Sequence, residues 1–223
     1  MSKVINPRRV MATLSELWLG NHCPDENRCA CRKGGWCPET KVSSGEPDYP
    51  MMHLAGCAFA YDRCCCRILE EIEILAGEYL KQGGVDKPPV PLDIIRLFDP
   101  HRSIEVRYVP LKQYFGCTWF VDSEWVVHIN ENAPSKVRHF TSFHEGFHII
   151  WGSSGLAFRR GGDAHQAVGE RLADYFAASI LMPRDFVYRL WPEVQDTAKM
   201  ADFFAVPEPV MKDWLVRLRI STT

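Results

Sequence analysis

Residues 141–150 read TSFHEGFHII, with His144 and His148 four apart and Glu145 directly after the first. On a helix, positions i and i+4 lie on one face about a turn apart. Both imidazoles can then point at a single metal ion, with Glu145 on the adjacent flank. That combination is suited to hydrolysis. A bound metal lowers the pKa of its water and polarises a carbonyl. A neighbouring carboxylate can take the proton as the water attacks and deliver it to the leaving amine. The pattern HExxH is short enough to arise by chance, so the surrounding residues have to carry the reading.

A catalytic zinc needs a third protein ligand and an open fourth position. The segment GERLADYFA offers Glu170 and Asp174, again four apart. Glu170 could bind the metal while Asp174 hydrogen-bonds a ligand histidine from behind. Charged residues this close to the apolar run Leu172, Ala173, Phe176, Ala177, Ile180 and Leu181 want a partner. Asp163 and His165, in the glycine-rich RRGGDAHQA, are alternatives for the third ligand. The layout HExxHxxGxxH is excluded, because Trp151 and Ser154 stand where its glycine and third histidine belong. His128 and His139 read as structural.

These residues need elements to hold them. SKVRHFTSFHEGFHIIWG predicts one helix closed by Gly152, and AVGERLADYFAASILMP a second stopped by Pro183. Leu54, Ala58, Tyr61, Cys65, Ile68, Ile72, Leu75 and Tyr79 form an apolar stripe that predicts a long helix over 54–81. PPVPLDIIRLF predicts a short helix behind its prolines. SIEVRYVP, GCTWFVD and EWVVHIN predict strands of a small antiparallel sheet. VQDTAKMADFFAV and PVMKDWLVRL predict a helical pair with helix-turn-helix spacing, in which Ala201, Phe204 and Val206 pack on Met211, Leu215 and Leu218. The organisation expected is a Cys-rich extension over 1–50, a core over 51–190 and the helical pair over 191–223.

With 24% charged residues and a formal net charge of -2, there is no overall basic field to favour nucleic acid or an acidic membrane. Sequence-specific DNA binding by the helical pair is therefore not favoured. No stretch approaches the roughly 18 apolar residues of a membrane span, and the first residues make a poor signal peptide. A cytoplasmic protein is expected. In that compartment nine cysteines suggest metal, redox chemistry or burial before disulfides. Cys23, Cys29, Cys31 and Cys37 are spaced C-x5-C-x-C-x5-C and could close around a structural zinc; an iron–sulfur cluster or a set of ordinary thiols are the alternatives. Cys65 lies on the helix stripe and is expected in the core, with Cys64 and Cys66 flanking it.

Taken in order, PPVPLDIIRLFD, FGCTWF, VVHINEN, RHFTSFHEGFHII and GERLADYFAASILMP resemble the ImmA/IrrE-type metallopeptidases, over about residues 68–190 and the helical pair after them. The resemblance implies an α+β, zincin-like fold with a small sheet and several helices. It implies a metal-dependent endopeptidase that cuts a helix-turn-helix transcriptional repressor, as in stress responses and mobile elements. It assigns His144, His148 and Glu170 as metal ligands and Glu145 as general base. Zinc is the expected ion, with manganese able to occupy the same ligand set. Two departures stand out. Gly146 and Phe147 replace the family's frequent Leu-Gly, and a glycine there is expected to give space for substrate backbone. Asp174 replaces a frequent Asn. Two other readings belong to different classes. One is a non-proteolytic, metal-bound regulator that binds a repressor or DNA; the other is a metal-binding interaction module acting through its head.

Overall fold

The computed structural model describes residues 64–153 and 163–220. The head with Cys23, Cys29, Cys31 and Cys37, the first ten residues of the expected 54–81 helix, and the side chains of Cys64, Cys65 and Cys66 lie outside the described residues.

Helix α1, Cys64–Gln82, buries Ile72, Leu75 and Tyr79 from the expected stripe. It stops where Gly84 turns left-handed at φ 65°, so that Val85 N–H bonds back to Leu80 O at 2.9 Å. Only a residue without a Cβ adopts that conformation at little cost. A 3-10 helix, Leu92–Leu97, follows Pro91 and buries Ile94 and Ile95.

Strands β1 (Ile104–Val109), β2 (Gly116–Val121) and β3 (Glu124–Asn130) form a sheet in the order β1-β3-β2. The expected all-antiparallel sheet is corrected here: β2 pairs antiparallel with β3, but β1 pairs parallel with it. The reason is burial. β3 carries Trp125, Val127 and Ile129, all buried, so it takes the centre and separates the strands adjacent in sequence. Two strands running the same way then become neighbours. β2 and β3 are joined by Asp122 and Ser123 at φ 50° and 68°, the left-handed pair of a two-residue hairpin whose twist matches its strands.

Helix α2, Ser135–Ser153, crosses β2 and β3 and lays Phe143, Phe147 and Ile150 into the core. Helix α3, Asp163–Leu181, packs against both α2 and α1. It begins four residues before the expected Ala167, so Asp163 and His165 belong to its first turn and not to the connection. From Leu172 to Met182 every residue of this stretch is buried. Helix α4, Arg184–Val194, was not expected. Its apolar face of Phe186, Val187, Leu190, Trp191 and Val194 has helical spacing, but Pro192 in the last turn argues against a helix when read alone.

Helices α5 (Thr197–Phe203) and α6 (Glu208–Arg217) are the expected pair. Ala201, Phe204, Val206, Met211, Leu215 and Leu218 are all buried as expected. The pair also joins the main core. Trp214 donates its indole N–H to Met182 O at 2.8 Å, and its ring lies 5.5 Å from that of Tyr175. Among the described residues no helix is long and apolar enough to cross a membrane.

Candidate metal centre

The His144 and His148 rings emerge one turn apart from α2, and α3 brings Glu170 to them. His144 Nε2 is 3.4 Å from His148 Nε2 and 3.2 Å from Glu170 Oε2, and His148 Nε2 is 3.5 Å from Glu170 Oε1. Ligand bonds of about 2.0–2.1 Å in a tetrahedron set the ligands roughly 3.3 Å apart. The two ring nitrogens stand at the spacing of tetrahedral corners, each faces a different oxygen of the Glu170 carboxylate at a similar distance, and the donor set fits a divalent ion. Among the described residues this is the one such group of three.

Asp174 sits behind His144, its Oδ1 2.7 Å from Nδ1, and is buried. A carboxylate there accepts the Nδ1 proton, which leaves Nε2 of a neutral ring with its lone pair toward Glu170 and His148. Without an ion, however, the surrounding acids favour the charged ring. Burial alone would lower the pKa of His144, but hydrogen bonds to Asp174 and Glu170, with the charge of Glu145, push it up to about 10. The histidine hydrogen bonds hold the Glu170 carboxyl well below the usual range. Burial raises that of Asp174 despite its bond to His144. Without a metal, a proton on His144 is what holds these carboxylates together. A divalent cation can take its place.

Glu145 is buried, at 7% exposure, and points toward β2. Thr118 donates its hydroxyl to Glu145 Oε2 at 2.7 Å. Gly116 lies alongside: a Cβ there would stand 2.6 Å from Thr141 Cγ2 and 2.9 Å from Glu145 Cγ. Sequence reasoning missed both residues. The only signal was a glycine opening a strand, which often marks close backbone approach.

The expectation for Gly146 is corrected. Its open side faces protein: a Cβ there would lie 2.4 Å from the ring of Phe98. The glycine lets α2 close on the segment after the 3-10 helix. The side chains of Asp163 and His165 lie outside the described residues. His139 is structural as expected, with Nδ1 3.0 Å from Ala205 O and Nε2 2.9 Å from Val90 O. His128 lies on β3 opposite Cys117 and Arg107, away from the cluster.

Residues 100–213, just over half of the chain, match the family model described as the IrrE N-terminal-like domain, a peptidase family. The match begins at 100, later than the resemblance drawn from motifs, and runs into α6. Among solved structures, a Mycobacterium tuberculosis transcriptional regulator superposes with a TM-score of 0.50 and 17% identity, over 66% of this chain and 46% of that one. The chain thus spans under half the length of that regulator, and the likeness shows the fold alone. No curated protein matches the chain.

Proposed function

Because the chain belongs to the IrrE N-terminal-like domain family, we propose that it is a metal-dependent endopeptidase that hydrolyses a peptide bond in a protein regulator, a helix-turn-helix transcriptional repressor by the family resemblance. The observation that carries this reading is the convergence of His144 Nε2, His148 Nε2 and the Glu170 carboxylate, with the two nitrogens 3.4 Å apart and each within 3.5 Å of one of its oxygens. In this role His144, His148 and Glu170 hold the ion, and Asp174 fixes the tautomer and aim of His144. Zinc suits the ligand set, and manganese fits it too. When bound, the ion would supply an activated water and polarise the scissile carbonyl. Glu145 takes the proton of the attacking water and returns it to the leaving amine.

Strand β2 gives the substrate a place to lie. Asn130 N–H bonds to Phe115 O, so in this register Cys117, Trp119 and Val121 turn their backbone groups to β3. Those of Gly116, Thr118 and Phe120 face the other way, where no strand stands among the described residues. An extended segment can add to such an edge through main-chain bonds, with neighbouring side chains selecting it. Trp119, Phe120 and Val121 are exposed beside it.

The test is Glu145→Gln, which should keep one metal equivalent per chain and abolish cleavage of an unfolded protein such as casein and of a co-expressed repressor. A variant that cleaves as well as wild type would remove the peptidase reading. A variant that still relieves repression while cleaving nothing would favour the non-proteolytic regulator.

A further inference from the structure

We propose that Thr118 is a positioning residue for Glu145, and that β2 aims the general base as well as offering an edge to the substrate. This rests on the peptidase reading above. Glu145 and Thr118 are 27 residues apart and meet only because β2 crosses α2. The Thr118 oxygen lies 2.7 Å from Glu145 Oε2 and 3.3 Å from the Glu145 carbonyl. A hydroxyl has one proton to donate, and the shorter, charge-assisted bond takes it. Oε2 is thereby tied to the strand, and Oε1 is left to receive a proton.

Gly116 completes the device by what it lacks. A Cβ at that position would stand 3.1 Å from Oε1 and 2.9 Å from Cγ of Glu145. Both would crowd the carboxylate out of the orientation that Thr118 holds. Side chains alternate along a strand, so Gly116 and Thr118 share the face turned to α2, and Cys117 lies on the other. A buried carboxylate on a long side chain has several rotamers. One strand removes that freedom with a hydrogen bond at one oxygen and open space at the other.

The experiment compares zinc-loaded wild type, Thr118→Val and Thr118→Ser in crystal structures and in cleavage of casein. Valine keeps the shape of threonine without the donor; serine keeps the donor. Wild type and the serine variant should show Glu145 in one rotamer, and the valine variant in more than one. In the valine variant kcat should fall about 10- to 100-fold, as for loss of a hydrogen bond to a charged group, with KM and zinc content unchanged. Serine should restore most of the rate.

A single, unmoved Glu145 rotamer in Thr118→Val would overturn the proposal whatever the rates. So would a serine variant as impaired as the valine one, since that would assign the effect to the lost methyl. If wild type cleaves no peptide bond, the peptidase reading falls by itself, and the rotamer comparison still decides whether Thr118 holds Glu145.

Discussion

At the residue scale, the centre is an ionic cluster in which one histidine is surrounded by acid. Asp174, Glu170 and Glu145 all favour the charged form of His144, whose pKa reaches about 10 against an ordinary 6.5. The sign of the consequence follows by linkage. A histidine raised in the folded state contributes its full stabilisation below about pH 6.5 and loses it as the pH rises through about 10. Glu170, held low, contributes above its ordinary range and loses that contribution as the pH falls toward its folded value. Chelator-treated protein should therefore lose thermal midpoint steadily between pH 6.5 and 10, while metal-loaded protein, with the proton replaced, should not. Parallel curves for the two forms would show that His144 is not the group the metal displaces. Much of this cluster was legible in the sequence, because His144 with His148, and Glu170 with Asp174, are each related by one helical turn. What could not be read is the grip of Thr118 on Glu145. It joins a strand to a helix, and no local periodicity relates residues 27 apart.

At the element scale, α2 is set by close approaches as much as by its apolar face. Gly146 admits the ring of Phe98, which in turn packs on Tyr79 at 4.7 Å and Phe176 at 5.5 Å. Replacing it with alanine pits two effects against each other. Alanine gains about 1 kcal/mol of helix propensity, whereas overpacking a filled core costs roughly 1–3 kcal/mol. Phe98 is hemmed in by α1 and α3, so the steric cost should win. Gly146→Ala should be destabilised by up to about 2 kcal/mol in urea unfolding, and an increase in stability would mean that Phe98 swings aside freely. From sequence the same glycine looked like room for a substrate, because Phe98 lies 48 positions earlier in the chain. The sheet shows the same limit. Strand positions are marked by β-branched and aromatic runs, but which strand takes the centre depends on burial that the packed α2 supplies. A tighter link between elements was equally hidden. Arg184 on α4 makes two bonds of 2.7 Å to Glu73 on α1, and Tyr175 on α3 donates to the same carboxylate.

At the scale of the whole molecule, a single hydrophobic cluster runs from Ile72 on α1 to Leu218 beyond α6. The helical pair was legible as a pair from its spacing, but its attachment through Trp214 to Met182 was not. The pair packs as part of the core that carries the centre. Among the described residues β2 is an edge strand of the sheet. Edge strands are commonly protected by lysine, proline, bulges or a covering element, and Gly116–Val121 contains no charge and no proline. Asp122 and Glu124, beyond its end, are the nearest charges along the chain. Purified protein should accordingly self-associate as its concentration rises, seen as a growing hydrodynamic radius in light scattering, and Phe120→Lys should suppress the growth. A radius that stays constant for wild type would show that the edge is already covered. If the edge is open, an extended segment from a second copy competes with substrate for the same backbone groups, so the specific rate measured in a concentrated sample understates the rate of the dilute protein.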